Sequence, residues 1–167
     1  MEVGSEAMKK MGIFLGIIII LFAGIFVLNK SNVNEVYNKP VSELNRETRA
    51  ILDDPNYQNI ILPDELESKI ESGDGTFVYY FASDCSFCKQ TTPILMPIAE
   101  DVGVDLPQFN LREFDDYFQK MGIQFTPTLA FYENGALVDK MEGGITIDGS
   151  TGFTKQQYAD FFNKYKG

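Results

Sequence analysis

The two cysteines of this 167-residue chain, Cys85 and Cys88, are the residues best suited to chemistry, because only two positions separate them. They come directly after Thr76–Ala82, an uncharged run rich in aromatic and β-branched residues. Such a run, bounded on both sides by turn residues, predicts a buried strand. A strand that leads into a Cys-x-x-Cys turn is typical of a redox site.

The residues after Cys88 have apolar positions at helical spacing, which places Cys85 at a predicted helix N-terminus. Unpaired backbone N–H groups and the positive end of the helix dipole favour an anion there, so they stabilise the thiolate. Cysteines in this setting have a pKa of roughly 3.5 to 7.5 instead of about 8.5. We therefore expect Cys85 to be the nucleophile and Cys88, one turn inward, to be the resolving thiol.

Three other interpretations of the cysteine pair are open. A structural disulfide between Cys85 and Cys88 would close a very short loop and so constrain the unfolded chain little. Structural zinc needs about four nitrogen or sulfur ligands; with no histidine and no third cysteine, it would need a dimer that shares the site. Buried, inert cysteines are disfavoured by the polar neighbours Asp84, Ser86 and Lys89. We expect no metal and no organic cofactor beyond a redox-active Cys85–Cys88 disulfide.

The charge and composition exclude some classes of function. The net charge of −10 argues against nucleic-acid binding, which requires a basic face. The absence of histidine removes the usual general base. Any proton transfer must therefore use a carboxylate, a thiol, a tyrosine or water.

The apolar run Met11–Leu28 predicts a membrane anchor. As a helix it would reach about 27 Å, close to the roughly 30 Å of a bilayer's hydrocarbon core. A cleaved signal peptide and a buried helix of a soluble protein are the alternatives. The run is longer than the usual apolar core of a signal peptide, and no clear Ala-x-Ala site follows it, so we favour an uncleaved anchor.

The lysines on either side of this run predict its orientation. Lys9 and Lys10 precede it, whereas only Lys30 closely follows it. The positive-inside rule then places the N-terminus in the cytoplasm and the rest of the chain outside the cell membrane, as a single-pass protein. An exported Cys-x-x-Cys domain meets an environment that permits disulfides.

These patterns predict four regions along the chain. They are a cytoplasmic tail (1–10), the anchor (11–28), a spacer with a short amphipathic helix (29–56), and the domain that carries the cysteines (57–167). The amphipathic helix is expected over Val41–Leu52.

Strands and helices are predicted to alternate in the last region. The strands are expected at 59–62, 76–82, 104–111, 127–132 and 137–141, and the helices at 63–71, at the cysteines to about 101, at 114–121 and at 154–165. Asn134-Gly135 between two strand-like runs is a strong hairpin signal.

Over residues 59–166 the sequence resembles the thioredoxin family. The matching motifs are Phe81-Ala82-Ser83-Asp84-Cys85-Ser86-Phe87-Cys88-Lys89, Thr92-Pro93-Ile94-Leu95 and Gly122-Ile123-Gln124-Phe125-Thr126-Pro127-Thr128, followed by the Asn-Gly hairpin. The resemblance implies a thioredoxin-like α/β fold, in which a central mixed sheet is flanked by helices.

The resemblance also implies roles for residues near the cysteines. Pro127 would follow a cis peptide bond and lie beside the Cys-x-x-Cys turn, with the Thr126 backbone docking an extended substrate, whereas the sequence alone favours an ordinary trans proline. Ser86 and Phe87, between the cysteines, would also contact the substrate.

The sequence departs from cytosolic members of the family around the expected site. Ser86-Phe87 replaces the usual Gly-Pro between the cysteines, and three further positions also differ. Asp84 replaces the family's tryptophan, Tyr79 aligns with its buried acid, and Gln108 aligns with the lysine that pairs with that acid. The usual internal proton relay is therefore expected to be absent, which leaves Asp84 or water for proton transfer. The Asp84 carboxylate should also disfavour the Cys85 thiolate.

The anchored arrangement is similar to bacterial membrane-tethered thioredoxin-like proteins, including accessory proteins of secreted bacteriocins. We predict a monomeric thiol–disulfide oxidoreductase that acts on exported proteins or peptides, with a membrane redox partner to recharge it. The alternative is a peptide-binding or chaperone-like module with an idle disulfide. A Cys88→Ala variant separates the two, since only the enzyme would trap covalent partners.

Overall fold

The computed structural model describes residues 3–146, 149 and 151–167, with only the backbone described for residues 3–7 and 29–31. The chain divides into two compact units, one ending at Glu43 and one spanning Leu44–Gly167. The second unit starts before residue 57, where the sequence placed the start of the domain. The predicted regions otherwise stay predictions, and Met1 and Glu2 of the predicted tail lie outside the described residues.

The first unit contains a long apolar helix and a small hairpin. Its elements are α1 (Val3–Ser31), β1 (Val33–Asn34), β2 (Lys39–Pro40) and a 3₁₀ turn (Val41–Glu43). Within the described residues, one helix is long and apolar enough to cross a bilayer by length and composition, over Met8–Leu28, and its most apolar window is not buried. Whether it crosses a membrane stays a prediction.

The second unit is a thioredoxin-like α/β domain. Its helices and strands are α2 (Arg46–Arg49), α3 (Pro63–Glu71), β3 (Thr76–Phe81), α4 (Ser86–Val102), β4 (Gln108–Asn110), α5 (Tyr117–Lys120), β5 (Thr128–Glu133), β6 (Ala136–Glu142) and α6 (Lys155–Tyr165), with a 3₁₀ turn at Pro55–Tyr57. The sheet order is β4-β3-β5-β6. The β3–β4 pair is parallel and the other two pairs are antiparallel, so the predicted mixed sheet is confirmed.

Strand β3 lies in the middle of the core because both of its faces are covered. Phe77, Tyr79 and Phe81 pack in one cluster with residues of α4 and α6. Val78 and Tyr80 pack in a second cluster with residues of α3. A strand buried on both faces carries apolar or aromatic residues without alternation, which is the pattern of this run.

The hairpin between β5 and β6 is confirmed. Asn134 and Gly135 both have positive φ, at 54° and 77°. A two-residue hairpin turn of this kind needs left-handed backbone at both positions, which asparagine tolerates and glycine adopts at no steric cost.

Two predicted elements are wrong. The predicted strand 59–62 is reduced to a single bridge between Ile60 and Gln108. The predicted helix Val41–Leu52 is broken, because Asn45 has an extended backbone (ψ 146°) between the 3₁₀ turn and the short α2.

Two other elements are shorter than the patterns predicted. Strand β4 covers only Gln108–Asn110, because Pro107 just before it has no N–H for a ladder bond. Helix α5 is a single turn that begins at Tyr117 instead of residue 114.

Candidate active site

Cys85 lies where β3 ends and α4 begins. Its N–H donates to the Ala82 carbonyl at 3.0 Å, which closes a tight turn. Cys85 is the N-cap of α4, so its side chain faces the free N–H groups of the first helical turn. The structure therefore places this thiol at the predicted helix N-terminus.

Two hydrogen bonds hold the Cys85 sulfur. The Cys88 N–H donates to Cys85 Sγ at 3.2 Å, and the Cys85 thiol donates to the Thr126 carbonyl at 3.3 Å. The peptide bond between Thr126 and Pro127 is cis, as the resemblance implied. Tertiary structure thus brings the Thr126-Pro127 loop next to the cysteines, and the substrate-binding roles of both residues stay predictions.

The two thiols have opposite electrostatic environments. A hydrogen bond with Cys88 is the main cause that lowers the pKa of Cys85 to about 6, with smaller contributions from Thr126 and from backbone N–H groups. Burial raises the pKa of Cys88, whose side chain is 0% exposed. Both cysteines are free thiols in this structure. At neutral pH this pKa favours the Cys85 thiolate, which keeps the Cys88 N–H as a donor but has no proton to donate to the Thr126 carbonyl, whereas Cys88 stays a neutral thiol.

Two tyrosine side chains, Tyr79 and Tyr158, lie close enough to Cys88 to interact with it electrostatically. Burial and then the charge of a Cys88 thiolate raise the pKa of Tyr79 and of Tyr158, so both phenols keep their protons at neutral pH. Thr92 donates to the Cys88 carbonyl at 2.8 Å, and its own hydroxyl lies 3.1 Å from the Tyr79 hydroxyl. Since the Thr92 proton is committed to that carbonyl, the Tyr79 O–H donates to Thr92.

Gln108 pairs with Tyr79 in the β3–β4 ladder, at the position aligned with the family's lysine. Its amide Nε2 donates to the Asn56 carbonyl at 2.7 Å and contacts the Met96 sulfur at 2.8 Å. Its Oε1 is buried and without a hydrogen-bond partner among the described residues. A neutral tyrosine and a neutral amide are therefore paired at the positions that the resemblance aligns with the family's acid and lysine.

Asp84 has a basic partner that sequence reasoning missed. Its carboxylate lies 3.4 Å from the Nε of Arg112, and both side chains are about half exposed. Ion pairing offsets part of the repulsion that Asp84 was expected to exert on a Cys85 thiolate. Its role in proton transfer stays a prediction.

Exposed aromatic side chains border the cysteines on two sides. Phe87, between the cysteines, is 63% exposed, and Phe125, directly before Thr126, is 66% exposed. Ser86 is also exposed. The sequence singled out Ser86 and Phe87 but missed Phe125, although its place beside the predicted cis proline was a usable signal.

A backbone segment after β6 packs against the first turns of α4. A Cβ on Gly144 would lie 2.9 Å from Thr91 Oγ1 and 3.3 Å from Phe87 Cβ. The Ile145 N–H donates to Thr91 Oγ1 at 2.9 Å. Glycine at 144 therefore permits a backbone approach that supports the helix turn carrying Phe87.

The sequence is similar to that of known proteins. The thioredoxin family model matches residues 58–153. The chain is 27% identical over 77 residues to the "Disulfide bond formation protein" of Brevibacillus choshinensis, covering 44% of this chain and 65% of that protein. It is 32% identical over 81 residues to Thioredoxin-2 of Saccharomyces cerevisiae, covering 47% of this chain and 78% of that protein.

Solved thioredoxin structures share the fold. That of Malassezia sympodialis superposes with a TM-score of 0.54 at 19% identity, over 65% of this chain and 90% of its own. That of Plasmodium falciparum superposes with a TM-score of 0.54 at 22% identity, over 64% of this chain and 98% of its own.

Proposed function

Because this chain belongs to the thioredoxin family, we propose that it is a thiol–disulfide oxidoreductase that acts through Cys85 and Cys88 on exported proteins or peptides. One observation carries the proposal: the lowered pKa of Cys85, at the N-terminus of α4 and beside Thr126, in contrast to the raised pKa of Cys88. A reactive, partly accessible thiolate next to a buried thiol is what thiol–disulfide exchange requires.

In the reducing direction, the Cys85 thiolate attacks a substrate disulfide and forms a mixed disulfide. The first substrate sulfur leaves as a thiolate and takes a proton from water. Cys88 then loses its proton and attacks Cys85 Sγ, which releases the second substrate sulfur and leaves the Cys85–Cys88 disulfide. The oxidising direction runs through the same mixed disulfide in reverse.

The Cys88 step is the slow one in this proposal. Cys88 must lose a proton although burial raises its pKa, and the surrounding phenols hold their own protons. The proton therefore leaves through water admitted with the substrate or through the half-exposed Asp84, which lies beside Cys85 in sequence.

The substrate is proposed to lie across the cysteine turn and the Thr126-Pro127 loop. Its extended backbone pairs with the backbone at Thr126, while Ser86, Phe87 and Phe125 contact the residues beside its cysteine. The exposed Phe87 and Phe125 favour a cysteine flanked by apolar residues, because burying both rings on binding contributes hydrophobic free energy.

The chain is proposed to be anchored in the cell membrane by Met11–Leu28, with the Cys-x-x-Cys domain outside. The apolar helix and the two lysines before residue 11 support this arrangement. Exported proteins or peptides are the proposed substrates, and a membrane redox partner is proposed to recharge the cysteine pair.

The reduction potential of the cysteine pair tests the function. The full chain in detergent micelles is equilibrated against glutathione, and the oxidised fraction is measured by thiol labelling. A potential near −270 mV marks a reductase and one near −120 mV an oxidant that introduces disulfides. A pair that stays oxidised below about −300 mV would contradict the proposal, because it would behave as a structural bond.

Covalent trapping separates the enzyme from a peptide-binding module. A Cys88→Ala variant expressed in cells is expected to accumulate mixed disulfides through Cys85, because no second thiol resolves them. The matched control is Cys85→Ala, which keeps the buried thiol but lacks the nucleophile. Equal amounts of covalent adduct in both variants would contradict the catalytic assignment.

A further inference from the structure

The residues just before the family match form contacts with the cysteine turn. The family model begins at residue 58, whereas the compact domain begins at Leu44. We call Leu44–Arg49 the clamp segment. It contains α2, and the function proposed above gives it no role.

Thr48 is the buried center of the clamp segment, with 0% of its surface exposed. Its hydroxyl lies 2.8 Å from the hydroxyl of Ser83, which is also buried. The Asn110 amide donates to the same Thr48 hydroxyl at 3.2 Å. Since Ser83 lies within the turn that Ala82 and Cys85 close, Thr48 joins this turn to the end of β4.

Asp84, the next residue of the turn, is held by the loop that follows β4. Asp84 pairs with Arg112, whose backbone N–H donates to the Asn110 side chain at 3.0 Å. The clamp segment also supports this loop through Asn45. The side-chain amide of Asn45 donates to the Arg112 carbonyl at 2.9 Å, and the backbone N–H of Asn45 donates to the Glu113 carboxylate at 2.8 Å.

A second contact reaches α4 itself. Glu47 lies 3.4 Å from Lys89, one residue after Cys88. Both side chains are exposed, so this pair contributes little by itself. The buried Thr48 bonds carry more weight, because breaking a buried hydrogen bond costs the desolvation of the groups left behind.

We propose that Thr48 is a positioning residue that holds the turn before Cys85, through Ser83 and Asn110, in the geometry that stabilises the Cys85 thiolate. The inference rests on the proposed function, since it assigns the clamp segment to the same redox site. Its physical basis is that Cys85 Sγ needs the Cys88 N–H at hydrogen-bond distance, and a shift of the turn lengthens that bond.

The test compares Thr48→Val with Thr48→Ser. Valine keeps the shape of threonine but removes the hydroxyl, whereas serine keeps the hydroxyl. The reduced full chain in detergent is alkylated with iodoacetamide between pH 4.5 and 9, and the Cys85 rate is followed by mass spectrometry. We expect Thr48→Val to lower the acid dissociation constant of Cys85 about three- to tenfold, and Thr48→Ser to restore it.

A matched control separates positioning from general loss of stability. Tyr132→Phe removes a buried hydroxyl–hydroxyl bond of 2.9 Å to Tyr80, in the cluster on the other face of the sheet. It should lower the melting temperature comparably and leave the Cys85 profile unchanged. If Thr48→Val does not fold, Ser83→Ala removes the same bond from the other side and is expected to give the same shift.

The outcomes distinguish this inference from the proposed function. An unchanged Cys85 profile in Thr48→Val, or in Ser83→Ala where the valine variant does not fold, would overturn the positioning role. An equal shift in Tyr132→Phe would also overturn it. Alkylation of the reduced chain needs no turnover, so it tests the role of Thr48 even if the wild-type chain fails the reduction-potential test. If the wild type is active but the Cys85 profile of the variant is unshifted, only the positioning role of Thr48 is refuted.

Discussion

At the scale of single residues, the two thiols differ in burial and in pKa. Cys85 is half-buried and held by a backbone N–H, whereas Cys88, in the first turn of α4, is fully buried. The lower pKa of Cys85 depends mainly on Cys88 as a hydrogen-bond partner. The second cysteine is therefore expected to activate the first one, in addition to its proposed role in resolving the mixed disulfide.

The pH dependence of Cys85 alkylation tests this dependence on Cys88. The pKa of Cys85 is lowered to about 6, so the rate should rise through about pH 6 and level off above it. Cys88→Ala removes the partner thiol and should move the midpoint toward the ordinary cysteine value of about 8.5. Cys88→Ser keeps a donor and should move it less. Equal midpoints in wild type and Cys88→Ala would contradict this cause.

The exposed rings give a prediction about substrate affinity. Replacing Phe87 or Phe125 by alanine should raise the KM for a disulfide peptide with apolar flanks about three- to tenfold, because each ring contributes roughly 1 kcal/mol on burial. The kcat and the melting temperature should change little, since neither ring is buried in the free protein.

Val138→Ala is the control for the exposed rings. Val138 is an exposed apolar residue on β6, outside the cysteine turn and the Thr126-Pro127 loop. Its replacement should leave the KM unchanged. A loss of kcat without a change of KM in either phenylalanine variant would contradict the docking role.

At the scale of elements, β3 and the β5–β6 hairpin position the two loops that meet at the site. Strand β3 ends at the cysteine turn, and β5 begins directly after Pro127. Because β3 and β5 pair antiparallel, the end of one lies beside the start of the other. The turn at Asn134 and Gly135 lies at the opposite end of β5 from Pro127.

The hairpin turn gives a stability prediction. Gly135→Ala should lower the free energy of unfolding by about 1 kcal/mol, because an L-residue is strained at φ +77°. Space is not the cause, since the nearest atom to an added Cβ is the Ile70 carbonyl oxygen at 3.9 Å. Urea denaturation measures the change. The control is Asn134→Gly, at φ +54°, which should not lower the free energy of unfolding. If it lowers this free energy as much as Gly135→Ala does, the explanation is contradicted.

At the scale of the whole molecule, an apolar helix and a redox domain share one chain. The proposed arrangement predicts that the full chain stays in the membrane fraction after alkaline carbonate washing. A membrane-impermeant maleimide should label Cys85 in intact cells, because the domain lies outside. Labelling that requires lysis would contradict the orientation, and a mature chain lacking its first residues would show a cleaved signal peptide.

Local sequence patterns were sufficient for most elements of the domain. The uncharged run to Phe81, the Asn134-Gly135 turn and the capped helix after Thr154 are all present in the structure. The broken helix at Asn45 was not predictable, because Glu113, far along the chain, binds the backbone N–H at which the helix breaks. The periodicity of apolar residues shows which face of a segment can be buried. It does not show which distant side chain will form a hydrogen bond with the backbone of that segment.

The sequence by itself determined which residues are proposed to do the chemistry: two cysteines at helical spacing after a run typical of a buried strand, with no histidine and no third cysteine. Only the tertiary structure decided what surrounds them, namely Thr126 on the Cys85 sulfur, Arg112 on Asp84 and Thr48 on Ser83. The physical reason is that a pKa and a hydrogen bond depend on distances between atoms, and these partners are brought together by the packing of the sheet and its loops.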